Sequence, residues 1–219
     1  MAYSEEKENI VSIVNDINKC IQKNKKSYRL FVVHCYDAIN DVKEIINDYL
    51  NEPIMYTIGN DILALCDFEN DVSDLELTDI VLSIRENLDS RVKVVKCGVV
   101  NKYNSDVIVD IYKGCQYMNK RNFTLNNLSD LIFYLVDKEI EVVRNIRNKV
   151  LGRVNEDNQL IKLILSMFDN DLNVTKTASS MYMHRNTINN KLEFIKKETG
   201  FNVQCFKDAM ALYILIKVV

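Results

Sequence analysis

The sequence predicts an α+β fold: an N-terminal α/β sandwich built on an antiparallel sheet, followed by an all-helical C-terminal module. Three observations carry this. β-rich apolar runs such as Leu30-Phe-Val-Val33 alternate with amphipathic stretches as far as Phe123. Gly59-Asn60 separates two of those runs by two residues, the signal of a hairpin and so of antiparallel pairing. After Phe123 only helical periodicity persists.

Tyr3 to Lys23 reads as an amphipathic helix, with Ile10, Ile13, Val14, Ile17 and Ile21 on one face and charged residues and Asn on the other. Ser27 to Tyr36 is the first strand. Asp37 to Leu50 is a helix whose buried side carries Ile39, Val42, Ile45, Ile46 and Tyr49. Pro53 breaks the chain before a strand at Ile54 to Ile58, and the hairpin returns along Ile62 to Cys66. A helix at Leu75 to Leu88, a strand at Val92 to Val100 and a helix at Ser105 to Arg121 complete the order β-α-β-β-α-β-α, with helices expected on one face of the sheet. Helices follow at Asn126–Leu135, Asp137–Lys149 and Glu156–Phe168, with a joint at Val150-Leu-Gly152. An apolar helix from Phe206 to Val219 closes the chain, with Phe206, Ala209, Leu212 and Ile216 expected to pack inward. The expected organisation is an N-terminal helix (1–25), an α+β domain (26–123), a helical connector (124–150) and a C-terminal module (151–219). No Pro/Gly/Ser-rich linker separates them.

Composition bounds the function classes. The chain is 47% hydrophobic and 27% charged, as in an ordinary globular protein. It has no apolar run near the ~18 residues a membrane helix needs, and its acidic N-terminus lacks the plan of a secretory signal. A cytoplasmic protein with no membrane partner is expected. The six cysteines form no CxxC pair, and Cys35, Cys66 and Cys97 sit inside strand-like runs. They read as buried hydrophobes, with no metal site or cofactor expected. The Asp/Asn-rich run 157–171 lacks calcium-loop spacing. Net charge is −3, but residues 173–219 carry seven Lys or Arg against three Asp or Glu. That local +4 leaves −7 for the rest: a basic module on an acidic body.

The basic module contains the motif that points to a function. Val174 to Met181 reads as a short helix, Tyr182 to His184 as a tight turn, and Arg185 to Thr199 as a longer helix. Ala178 is small where a second backbone must cross closely, and Met181 and Met183 flank the turn with apolar bulk. Ile188, Leu192 and Ile195 recur at helical spacing and would bury the second helix against the first. The opposite face carries Arg185, Asn186, Asn189, Asn190 and Lys196. This is a helix-turn-helix, and recognition helices read base edges with their first turns. The candidate DNA-contacting residues are Thr175, Lys176, Thr177, His184, Arg185, Asn186, Thr187, Asn189, Asn190 and Lys191. Bland roles stand beside these: Asn173 or Thr175 capping the first helix, His184, Asn186 or Thr187 capping the second, and Lys191 as a solvated charge. Tyr103, Tyr112, Tyr117, Tyr134, Tyr182 and Tyr213 read as the edges of amphipathic cores.

The run Met181-Tyr-Met-His-Arg-Asn-Thr-Ile188, with Ala178 before it and Lys191-Leu192, Ile195 and Thr199-Gly200 after it, resembles the DNA-binding domain of PucR/CdaR-type bacterial transcription regulators. Val150-Leu-Gly152 matches that family's upstream joint, although Arg153 replaces a usual Pro. The middle of the chain resembles, more loosely, the degenerate GGDEF-like domain that precedes this module in the family. Active GGDEF cyclases carry acidic metal ligands on the hairpin and first strand. Here the hairpin reads Gly59-Asn-Asp-Ile-Leu63, with Asn60 for the second Gly and Ile62 at the catalytic acid. Val32 and His34 stand where metal-binding Asp would sit. Magnesium chemistry needs several hard oxygen ligands, and Asp61 alone does not supply them. The resemblance therefore implies a catalytically inactive domain used for scaffolding, dimerisation or sensing, and no catalytic residues. Family members usually carry a further sensory region in front. About 25 residues precede the first strand here, so inducer sensing is not carried over.

The expected function is a homodimeric, sequence-specific regulator of double-stranded DNA, open to control by a small-molecule effector or a protein partner. The alternative is a ligand- or nucleotide-binding sensor acting mainly through protein contacts. A residual nucleotide cyclase is a third reading, opposed by the missing metal ligands.

Overall fold

The computed structural model describes residues 2–217. Val218 and Val219, where the predicted closing helix ends, lie outside the described residues. Helix α1 (Ala2–Asn24) leads into β1 (Tyr28–Cys35), α2 (Ile39–Tyr49), the hairpin β2 (Ile54–Ile58) and β3 (Asp61–Asp67), α3 (Asp74–Leu88), β4 (Val92–Val100) and α4 (Val107–Met118). A short β5 (Leu125–Asn127) precedes α5 (Leu128–Leu135), α6 (Ile140–Val150) and α7 (Gly152–Asn155). The C-terminal module is α8 (Asn158–Asp169), α9 (Val174–Ser180), α10 (Arg185–Thr199) and α11 (Phe206–Lys217).

The sheet runs β2-β3-β1-β4-β5. Its first four strands are antiparallel neighbours, and the Gly59-Asn60 turn makes the β2–β3 hairpin, with Gly59 at φ 56°. Strand β5 is an addition. Residues 126 and 127 were expected to open a helix, but they pair in parallel with Val95 and Lys96. The Asn127 side chain then caps α5 by accepting from the Asp130 amide at 3.1 Å. Asn is a weak helix former and a strong N-cap, and the edge of β4 offers unpaired backbone groups, so tertiary pairing wins locally.

Helices cover both faces of the sheet, not one. Phe31, Val33, Ile62, Ala64 and Val94 pack beneath α2 and α3, whereas Leu30, Val32, Leu63, Leu65 and Val95 pack beneath α1 and α4. The strand sequences explain this. β1 and β3 are nearly continuous apolar runs, buried along almost their whole length, and a strand apolar on both sides needs cover on both sides. Helix α1 supplies part of that cover. Ile10, Ile13, Val14, Ile17 and Ile21 are all buried, each such side chain contributing about 1.5–3 kcal/mol relative to exposure. Cys35, Cys66, Cys97 and Cys115 are buried thiols, and burial pushes Cys35 and Cys66 up to about 12. Two apolar positions behave otherwise than expected: Tyr49 is half exposed and Phe206 is largely exposed. α11 instead buries Ala209, Ala211, Leu212 and Leu215.

One apolar core runs from α1 and the α4 face of the sheet into the C-terminal module, where it takes in Ala178, Ile188, Leu192, Ile195 and Leu212. The module is thus docked rather than tethered. Arg29, 5% exposed, lies at a register shift between β1 and β4. It donates to Asp71 Oδ2 (2.8 and 3.0 Å) and to the Cys97 carbonyl (3.0 Å). Gly200, at φ 82°, ends α10 directly against this guanidinium and β4. A Cβ there would stand 2.5 Å from Arg29 Nη1 and 3.0 Å from the Val99 nitrogen. Asn101–Glu198 (3.4 Å) crosses the same seam, and Ser129–Asp208 (2.7 Å) and Lys207–Asp130 (2.6 Å) tie α5 to the start of α11. Gly200→Ala is therefore expected to cost about 2 kcal/mol or more, read from urea unfolding, because left-handed backbone strain and backbone crowding add.

Candidate nucleic-acid interface

The helix-turn-helix is built from its buried side outward. Ile188, Leu192, Ile195 and Thr199 form the inward face of α10, and Thr177 and Ala178 form that of α9. α8 closes the base with Leu160, Leu163, Ile164 and Met167. Asn173 caps α9, its Oδ1 accepting from the Thr175 and Lys176 amides at 3.0 Å each. α9 ends in a tight turn in which the Met183 amide donates to the Ala178 carbonyl (2.9 Å) and Tyr182 adopts φ 53°. His184 then caps α10. Its Nδ1 accepts from the Asn186 amide at 3.2 Å, which places the ring proton of the neutral imidazole on Nε2.

With His184 as the cap, Asn186 and Thr187 are not needed for that role. Arg185, Asn186, Thr187, Asn189 and Asn190 are all exposed, a continuous polar surface over the first turn and a half of α10. Thr175 and Lys176 are exposed at the start of α9, and Lys176 forms an open surface pair with Asp171 (3.0 Å) that phosphate oxygens can displace. Three expectations change. Thr177 is fully buried on the inward face of α9 and its Oγ1 has no hydrogen-bond partner, so it is withdrawn from the candidate surface. Lys191 is partly buried and turned toward Asp157 at the start of α8 (3.7 Å). Lys196 lines a cleft between α10 and the sheet domain rather than the exposed face.

Sequence reasoning missed three features. Tyr182 is 97% exposed, not the edge of a core, and the signal was a non-glycine residue where the turn needs left-handed backbone. The cleft holding Lys196, about 400 Å³, is also lined by Arg29, Asp71, Lys96 and Asp208. No sequence spacing betrays it, because its walls come from five separate segments of the chain. The third is Asp61. It is buried and bonded to His34 Nδ1 (2.7 Å), Tyr112 Oη (2.8 Å) and Gln116 Nε2 (2.7 Å). These residues do not fit a magnesium site, because the carboxylate of Asp61 is already committed to three side chains. Among the described residues no group of three or more His, Cys, Asp or Glu is placed to hold a metal ion. None of the described helices is long and apolar enough to cross a membrane.

Comparison with known proteins bears on this surface. Residues 160–218 match the PucR C-terminal helix-turn-helix domain, a span that includes α9 and α10. The chain is similar to an uncharacterized protein, YsfB, of Bacillus subtilis strain 168, at 29% identity over 68 residues. The similarity spans 31% of this chain and 18% of that protein's length. A crystal structure of a regulator of polyketide synthase expression from Bifidobacterium adolescentis aligns with 88% of this chain and 80% of its own at 14% identity, with a TM-score of 0.43.

Two substitutions separate structural from contacting residues. His184→Ala is expected to lower stability by about 0.5–1 kcal/mol through loss of the cap, with His184→Asn recovering most of it. Thr177→Val, which deletes a buried hydroxyl without a partner, should hold or raise stability by an amount on the order of 1 kcal/mol and leave DNA affinity unchanged. A loss of affinity in Thr177→Val would return that residue to the interface.

Proposed function

We propose that this chain is a sequence-specific DNA-binding transcriptional regulator that acts as a homodimer. The observation that carries the reading is the exposed surface Arg185-Asn186-Thr187 with Asn189 and Asn190, displayed by a buried, capped helix within a matched helix-turn-helix domain. In this reading the first turn of α10 enters the major groove. Arg185 has the fork that donates to guanine O6 and N7. Asn186 and Asn189 have the paired donor and acceptor that suit adenine. Thr187, Thr175 and Lys176 take phosphate oxygens and set the register. His184 acts first as a cap, and Lys191 chiefly as an internal strut. Two copies would place their recognition helices about 34 Å apart on an inverted repeat.

The sheet domain, residues 26–123, is the degenerate GGDEF-like unit of this proposal. It scaffolds, pairs subunits or senses, and it performs no catalysis. Asp61 supports that role, since its carboxylate is spent on His34, Tyr112 and Gln116. The docked seam gives sensing a route, because anything that moves β4 or Arg29 moves the end of α10.

The second reading is a ligand sensor acting through protein contacts. The cleft favours it: Asp71 Oδ1 is buried there with no hydrogen-bond partner, beside Lys96 and Arg29. Salt dependence separates the two. On a duplex selected by the wild-type protein from a random pool, affinity should fall steeply with ionic strength. Arg185→Ala should cost about 1–3 kcal/mol and relax specificity at one position, while Lys176→Ala should weaken all sequences alike and lower the salt slope by about 1. Sequence-blind binding, unchanged in Arg185→Ala, would favour the sensor.

A further inference from the structure

Tyr182 combines three properties that local stability does not explain. Its backbone sits at φ 53°, the left-handed region where a side chain with a Cβ is strained. The residue is 97% exposed, so the ring packs on nothing that could offset the strain. And it occupies the turn whose only geometric demand is that left-handed backbone, which glycine meets more cheaply. Lys25, Ala38, Asn51, Glu52, Asp89, Asp171 and Leu172 share positive φ with it among the described residues, but Tyr182 alone of this group presents a large aromatic ring to solvent, and a strained, exposed ring unused by the fold points to a role outside it.

Its position says what. Tyr182 lies two residues before the capping His184 and three before Arg185, the first residue of the proposed reading surface. In a helix-turn-helix the first helix crosses the phosphate backbone and the second enters the groove. The turn that joins them therefore passes over the groove's edge, where the phosphates run. A phenol suits that place. Its hydroxyl donates one hydrogen bond to a phosphate oxygen, and its flat, stiff ring loses little conformational freedom on being ordered.

We propose that Tyr182 is a DNA-contacting residue whose hydroxyl donates to a backbone phosphate flanking the major groove, exchanging turn stability for binding. This rests on the DNA-binding reading above. It adds an aromatic hydroxyl to a surface otherwise described by charged, amide and threonine side chains. Because no charge is neutralised, the contact releases no counterion, and this distinguishes it from Lys176.

The test uses the full chain and a duplex selected by the wild-type protein. Tyr182→Phe keeps the ring and the strain but loses the hydroxyl. Its affinity should fall about three- to ten-fold with an unchanged slope of log K against log salt. Tyr182→Gly should lose at least as much affinity while its Tm rises by about 1–4 °C, as the strain is relieved. Opposite movement of stability and affinity in one variant is the signature of a residue held for binding. Wild-type affinity in Tyr182→Phe would overturn the phosphate contact, and a lower Tm in Tyr182→Gly would show that the ring serves the fold. Failure of the wild-type protein to select any duplex falls instead on the DNA-binding reading, and would remove this contact with it.

Discussion

The structure depends on how the end of α10 meets strand β4. Gly200 turns the chain through left-handed backbone against the Val99 nitrogen and the Arg29 guanidinium, with no room for a Cβ. Arg29 in turn is held by Asp71 and the Cys97 carbonyl, buried within the sheet domain. A buried guanidinium is tolerated only when its donors are met, so the pairing fixes β1, β4 and the loop before α3 as one unit. Helix α10 is thereby set into the sheet, its N-terminal end displaying the polar first turn and its C-terminal end docked on the domain beneath.

Much of this was legible in the sequence where one physical signal dominates. The apolar stripe of α1, the hairpin at Gly59-Asn60 and the whole helix-turn-helix follow from period and turn chemistry. Those signals are local, and each is written in adjacent residues. What escaped was decided by partners distant in the chain. Residues 126 and 127 form β5 because β4 has a free edge, a fact held some thirty residues away. Helices cover both faces because β1 and β3 are apolar on both, a pattern that favours strand equally for one-sided and two-sided burial until the helices are placed.

The candidate site divides in the same way. Arg185, Asn186, Asn189 and Asn190 were readable as one helical face because they sit opposite Ile188, Leu192 and Ile195. Thr177 was not, since in the seven-residue α9 a polar side chain carries little information about which way it turns, and Lys191 on α10 was not, since its partner lies more than thirty residues away in the chain. Thr177 faces inward, and Lys191 leans on Asp157. His184 resolved in favour of capping because its Nδ1, not the side chain of Asn186 or Thr187, reaches the free amide at the start of α10. Tyr182 looks like an ordinary aromatic in sequence, and the nearly full exposure of its ring at a left-handed position sets it apart.

In the proposed complex the exposed face of α9 and α10 meets duplex DNA while the C-terminal end of α10 stays docked on the sheet. Hydrogen–deuterium exchange on the full chain, with and without a selected duplex, addresses both halves at once. Residues 174–190 should gain protection on binding, while exchange in β4 and the Gly200 turn stays unchanged and slow. Protection confined to the cleft segments, or loss of protection in β4 on adding DNA, would contradict this arrangement.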